Sequence, residues 1–149
     1  MPEQCTIVTN SEAETDALGA RLAARMTPNV VVGLVGPLGA GKTRLARAIA
    51  ESLGADPGAI SSPTFVLIHE YAARLPVFHF DVYRLKSASE FESLGVHDYF
   101  TAGGVCLIEW ADRVASLLPE DAWIISIQSD PRNPTRRTFE IRGVRLGSG

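Results

Sequence analysis

The run Val30-Val31-Val32-Gly33-Leu34-Val35 feeds directly into Gly36-Pro37-Leu38-Gly39-Ala40-Gly41-Lys42-Thr43, and the reading of this stretch decides the fold. The first six residues are apolar without alternation, as in a strand buried on both faces of a parallel sheet. The next eight match G-x-x-x-x-G-K-[ST], the phosphate-binding loop of nucleoside triphosphate proteins. Glycines are needed there because successive backbone N–H groups turn inward and approach phosphate oxygens closely. The pattern sets Lys42 over the β- and γ-phosphates and the Thr43 hydroxyl on Mg²⁺. Leu45, Ala46, Ile49, Ala50 and Leu53 follow at helical spacing and stop at Gly54. The helix start adds free N–H groups and a positive dipole end to the anion site. Gly36, Gly39, Ala40, Gly41, Lys42, Thr43 and the adjoining Arg44 are therefore the expected nucleotide contacts.

Outward from the loop, the chain reads as one domain of 149 residues with one core, at 46% hydrophobic content and without a long charged run. Thr6 to Thr9 reads as an edge strand, and Ser11-Glu12-Ala13-Glu14 is a capping box that starts a helix ending before Pro28. Val66 to Tyr71, Val77 to Asp81, Val105 to Glu109, Trp123 to Gln128 and Thr138 to Ile141 are the further strand candidates. Ser87-Ala88-Ser89-Glu90 opens a short helix closed by Gly95, Ala111 to Leu118 forms another, and Asp130 to Pro134 is a hairpin-like connection. The expected fold class is α/β: a three-layer sandwich with a mixed, mainly parallel sheet. The short links around Val66 to Asp81 and after Trp123 cannot cross over a sheet, so those strands pair antiparallel.

Fourteen basic against 17 acidic residues, a net charge of −3, give no general attraction to a polyanion. Nucleic acid, if involved, is expected to reach the chain through a partner protein. No apolar stretch has the length of a membrane span and the N-terminus lacks the layout of a secretory signal, so a cytoplasmic location is expected. Cys5 and Cys106 are too few and too distant for a metal knuckle, and read as reduced thiols.

A nucleotide-hydrolysing site also needs a carboxylate at the carboxyl end of a buried strand. Asp81, after Val77-Phe78-His79-Phe80, and Glu109, after Val105-Cys106-Leu107-Ile108, both fit, either as metal and water ligands or as plain polar strand ends. Thr64, in Ser61-Ser62-Pro63-Thr64-Phe65, stands where phosphate-loop proteins carry a segment ordered by the γ-phosphate and Mg²⁺; by chemistry alone it is equally an ordinary loop. Strand alternation turns Trp110 away from Glu109, toward a helix or the surface near the site. His69, His79 and His97 lack metal-ligand spacing and read as packing or surface residues.

Four blocks thus occur in one order: the loop, Ser62-Pro63-Thr64-Phe65, His79-Phe80-Asp81-Val82-Tyr83-Arg84-Leu85, and Glu109-Trp110. This set resembles the TsaE family, formerly YjeE, small bacterial ATPases of tRNA threonylcarbamoyladenosine biosynthesis. With the Ser11 to Gly19 entry helix, the likeness spans about three-quarters of the chain and weakens after Arg113. It implies a phosphate-loop fold and an ATP- and Mg²⁺-dependent ATPase. Its partners would be the proteins TsaB and TsaD, TsaD being the enzyme that transfers the threonylcarbamoyl group to adenosine 37 of tRNA. It further implies phosphate binding by Lys42, Mg²⁺ contacts by Thr43 and Glu109, and support of the metal and of catalysis by Asp81. Thr64 would lie in a switch-like segment, Trp110 would be functionally important, Ser11 or Thr15 would lie near the base, and an arginine around Arg136 would assist from the far hairpin. Val66 departs from the family, which often has a hydroxyl residue there.

Two other readings of the loop stand beside this one. A small-molecule kinase would need an arginine-bearing lid, yet the region after Lys86 is acidic and offers no arginine cluster before Arg132. A nucleotide-gated interaction module with little turnover would share the loop, and a GTPase is disfavoured by the lack of an Asn-Lys-x-Asp segment.

Overall fold

The computed structural model describes residues 4–60, 68–83 and 85–146. Along the chain run β1 (Gln4–Thr9), α1 (Glu12–Ala24), β2 (Val31–Val35), α2 (Lys42–Ser52), β3 (Ile68–Tyr71) and β4 (Val77–Asp81). They are followed by α3 (Ala88–Ser93), α4 (Val96–Phe100), β5 (Val105–Glu109), a 3₁₀ segment (Ala111–Leu117), β6 (Trp123–Asp130) and β7 (Asn133–Arg142).

The strands form one sheet in the order β1-β7-β6-β2-β5-β4-β3. β2 lies at its centre, parallel to both β5 and β6, and β4 is parallel to β5. β3 and β7 run against their neighbours, so β1, β2, β4, β5 and β6 share one direction. Short connections enforce those reversals: the β6–β7 turn closes at the pair Asp130↔Asn133.

Alternation along the central strands divides the core into two layers. Val32 and Leu34 of β2, with Val105 and Leu107 of β5, pack with Leu18, Leu22, Leu45 and Ile49 from α1 and α2. Val31, Cys106 and Ile108 face the other way, against Phe91, Val96, Phe100 and Val114 from α3, α4 and the 3₁₀ segment. Helices therefore cover both faces, the expected three-layer arrangement. Among the described residues no helix is long and apolar enough to cross a membrane.

The local signals act as their chemistry requires. Ser11 Oγ accepts from Glu14 N at 3.1 Å and Ser87 Oγ from Glu90 N at 3.3 Å, each at a helix N-cap. Gly95 differs from expectation. At φ +76 it follows α3 and also serves as the N-cap of α4, a helix absent from the sequence reading. β7 begins at Asn133 rather than Thr138 because its pairing with β6 extends to the turn, beyond the reach of β1, which starts pairing at Arg137. Of the strand expected from Val66, the described part is Ile68–Tyr71.

Candidate active site

Three parallel strand ends and the start of α2 meet at one edge of the sheet. Gly36 needs to lack a side chain, since a Cβ there would stand 2.5 Å from the backbone oxygen of Ile127 in β6. Gly41, the N-cap of α2, holds φ +111, a left-handed conformation that disfavours side chains. Between them Lys42 is 5% exposed; its Nζ donates to Gly36 O at 2.6 Å and Pro37 O at 2.9 Å. Burial holds the lysine below its ordinary pKa of 10.5, against the opposing pull of Glu109, Asp112 and Asp81. Ala40 is buried beneath the loop, whereas Gly39, at φ +80, has open space around it.

The carboxylates arrive by register. Asp81 and Glu109 are direct partners at the ends of β4 and β5, one face of which also carries Val77, His79, Val105 and Leu107. Thr43 Oγ1 donates to Glu109 Oε1 at 2.7 Å, which joins the start of α2 to β5. Glu109 is 3% exposed. Its Oε2 lies 2.6 Å from Nε2 of the buried His79. Asp81 Oδ1 accepts from Tyr83 N at 2.9 Å. Desolvation raises the Asp81 carboxyl above its ordinary 3.8, with the Tyr83 N–H and the Lys42 ammonium opposing and Glu109 adding to the rise.

Trp110 lies just beyond β5, partly buried against the second core layer, on the side away from Glu109 that alternation predicts. Its backbone turns left-handed, φ 63 and ψ 36, as β5 gives way to the 3₁₀ segment. For a tryptophan this costs about 1–3 kcal/mol. The turn brings the indole under Lys42 Nζ, 3.8 Å from the ring centroid, and against Tyr83 at 4.7 Å. Arg113 lies over Tyr83 at 4.9 Å, so a pair of touching rings is flanked by a cation on each side.

Two clefts adjoin here, sharing Gly41 and Arg44. One, about 280 Å³, is walled by Lys42, Thr43, Asp81, Glu109 and Trp110. The other, about 160 Å³, is walled by Ser11, Thr15, Thr135, Arg137 and Phe139. Arg44, at their junction, is tied to α1: Nε and Nη2 donate to Asp16 at 3.0 and 2.6 Å, with Glu12 at 3.6 Å. The hydrogen bond to Asp16 raises the Arg44 pKa above the ordinary arginine value. Thr15 is buried, its hydroxyl 2.9 Å from that of Thr9.

The structure thus gathers Ser11, Thr15, Gly39, Gly41, Lys42, Thr43, Arg44, Asp81, Glu109 and Trp110 around two joined clefts, with Gly36 and Ala40 shaping the loop. Thr64 lies outside the described residues. Arg136 is exposed and lines neither cleft; the hairpin arginine that does is Arg137. Alternation explains this, because Thr135, Arg137 and Phe139 share one face of β7 and Arg136 lies on the other. Arg137 Nη1 donates to Pro134 O at 2.5 Å and Arg136 O at 3.0 Å, which holds the guanidinium beside the loop.

His79 is the residue that sequence reasoning missed. Its signal was its place two residues before Asp81, hence on the same face. Chemically, the arrangement offers a cation and a helix N-terminus suited to phosphate, beside a hydroxyl and two carboxylates, an oxygen donor set suited to a hard divalent cation.

The family model described as "Threonylcarbamoyl adenosine biosynthesis protein TsaE" matches residues 9–139. Three similar proteins carry the name tRNA threonylcarbamoyladenosine biosynthesis protein TsaE. That of Bacillus subtilis is 41% identical over 133 residues, 89% of this chain and 82% of its own. That of Haemophilus influenzae is 41% identical over 70% of this chain and 67% of its own, and that of Treponema pallidum 40% over 81% and 89%. The crystal structure of Bacillus subtilis YdiB superposes with a TM-score of 0.78 at 34% identity, covering 99% of this chain and 88% of that one.

Proposed function

The chain belongs to the TsaE family of tRNA threonylcarbamoyladenosine biosynthesis, and on that premise we propose that it binds ATP with Mg²⁺ and hydrolyses it in the service of a TsaB–TsaD partner pair. The observation that carries this reading is the meeting of Thr43, Glu109 and Asp81 at the mouth of the Lys42 loop.

ATP and Mg²⁺ suit the residues present. Gly39, with nothing within 4 Å of a Cβ position, and the left-handed Gly41 line the cleft with bare backbone, as close phosphate approach needs. Among the described residues no group of three or more His, Cys, Asp and Glu forms a metal cage. A hydroxyl with one or two carboxylates is instead the donor set that takes Mg²⁺ together with phosphate oxygens and water. Bound there, the metal would neutralise charge on the β- and γ-phosphates.

The chain's own groups do the rest. Lys42 exchanges its loop carbonyls for phosphate oxygens, and Thr43 and Glu109 hold the metal. Asp81, whose raised pKa reflects a partly desolvated carboxylate, supports the metal and orients a water. The smaller cleft between α1 and β7 takes the nucleoside, flanked by Ser11, Thr15 and Arg137. Any contact with tRNA runs through the partners, in keeping with the net charge of −3.

The test is phosphate release from ATP, with the chain alone and with TsaB and TsaD. Partner-stimulated release is expected in the native chain and absent in Lys42→Ala. Glu109→Ala and Asp81→Ala should lose turnover while still binding ATP. Release that is no faster with the partners, or equal in all four proteins, overturns the reading.

A further inference from the structure

We infer that His79 is a positioning residue of this site, which fixes the Glu109 carboxylate in the orientation that presents Oε1 to Thr43 and to the metal; the inference rests on the nucleotide reading above. His79 is 1% exposed and Glu109 3%. A carboxylate oxygen only accepts, so Nε2 carries the hydrogen in the 2.6 Å contact with Oε2. Thr43 Oγ1 donates to the other oxygen at 2.7 Å. The carboxylate is thus held at both ends, by β4 on one side and by α2 on the other.

The imidazole is itself held. Its Nδ1 lies 3.3 Å from the Tyr71 hydroxyl of β3, and the two rings are 6.0 Å apart. A run of polar groups therefore crosses from the edge strand to the start of α2: Tyr71, His79, Glu109, Thr43. A histidine present for packing alone would not be aimed at the carboxylate. An apolar residue of the same volume would leave Oε2 buried without a donor, a state that folded proteins avoid. Partners of this kind, behind a ligating carboxylate, typically change metal affinity or activity by about 10- to 100-fold when removed.

The experiment uses a fluorescent ATP analogue titrated into the full chain in EDTA and at rising MgCl₂, with His79→Leu and His79→Gln. Glutamine places an amide donor near the position of Nε2. In His79→Leu the half-saturating Mg²⁺ concentration should rise about tenfold or more, and kcat should fall more than KM rises. Affinity in EDTA should change by less than about threefold, because the phosphate contacts of Lys42 and the loop remain. His79→Gln should recover most of the loss. Failure of the native chain to bind the analogue with Mg²⁺ sinks the nucleotide reading itself. Native binding together with an unchanged Mg²⁺ dependence in folded His79→Leu sinks the positioning role alone. Should His79→Leu not fold, His79→Phe, which keeps the ring and lacks the donor, takes its place: a raised Mg²⁺ requirement that His79→Gln does not share supports the role, and a near-native Mg²⁺ dependence overturns it. Nitrogen-15 spectra of the native chain give an independent readout, a protonated Nε2 being expected and a bare Nε2 refuting the geometry.

Discussion

Replacing Gly36 by alanine should destabilise the chain more than the same change at Gly39, although both glycines belong to one loop. A Cβ at Gly36 would lie 2.5 Å from Ile127 O, about 0.8 Å inside the ~3.3 Å at which carbon ordinarily meets a carbonyl oxygen. The obstacle is backbone. Ile127 is fully buried and pairs with Phe139 of β7, and its neighbour Ser126 pairs with Val35 of β2, so relief requires β2 and β6 to part. Overpacking of this kind costs about 1–3 kcal/mol, and a rigid obstacle places Gly36→Ala toward the upper end. At Gly39 nothing stands within 4 Å, and only the φ of +80 opposes alanine. That left-handed penalty, roughly 1–2 kcal/mol, is partly offset by the reduced entropy of the unfolded chain. Urea denaturation should therefore place Gly36→Ala near 3 kcal/mol below the native chain and Gly39→Ala near 1, with m unchanged. Thermal midpoints should fall by on the order of 10 °C and 3 °C respectively. Because Gly36 O accepts from Lys42 at 2.6 Å, Gly36→Ala should also weaken ATP binding. Adding Ile127→Val should not rescue it, since the clash is with a main-chain oxygen. A Gly36→Ala chain as stable as Gly39→Ala, or one rescued by trimming Ile127, would refute the reasoning.

Three further outcomes can be checked. The folded Asp81 carboxyl titrates above 3.8, so the native state binds more protons than the unfolded state between 3.8 and that raised value, and stability falls as pH rises through the window. Asp81→Asn should accordingly stabilise the chain at pH 7, by on the order of 0.5 kcal/mol, with the gain fading toward pH 4 and turnover lost; a lower midpoint at pH 7 refutes this. Calorimetry should find Mg²⁺ binding only when nucleotide is present, because among the described residues no group of three or more His, Cys, Asp and Glu gathers to hold it; saturable sub-millimolar Mg²⁺ binding without nucleotide refutes it. Arg137→Ala should weaken ATP binding about tenfold, whereas Arg136→Ala, on the outer face of β7, should leave it within about twofold; the reverse order in a fluorescence titration would discard the assignment of strand faces.

The layers of the fold were legible because local signals and global packing agree. The continuous apolar run before Gly36 declares a strand with two buried faces, and β2 lies between β5 and β6. Ser11 and Ser87 mark helix starts by a chemistry that acts within three residues. Gly95 shows the limit of such signals, because a glycine that ends one helix can cap the next and nothing in its neighbours distinguishes the two. The loop and both carboxylates were legible for a related reason: each lies at a strand end, and parallel strands deliver their ends to one edge.

What escaped the sequence is contact between elements distant in the chain. His79 and Glu109 are 30 residues apart, and no spacing rule joins them; only the β4–β5 register brings Nε2 to Oε2. The sequence pointed to an arginine around Arg136 without fixing which, because one residue along a strand reverses the face and the hairpin has no apolar alternation; Arg137 is the one that lines the cleft. Trp110 lies on the expected side, against the second core layer and beside the cleft, but its backbone conformation had no signal in the sequence. Its left-handed turn stores strain at the point where the chain leaves β5, and the indole–Lys42 contact at 3.8 Å is on the side that receives the return. The same contact ties the strain to the loop: Lys42 divides its charge among two carbonyls and one ring, so drawing it onto phosphate would loosen Trp110 from the position that its backbone resists. A site assembled in this way keeps its lysine and carboxylates on well-packed strands and helices and places a left-handed backbone turn at Trp110, the residue whose ring lies against the cation.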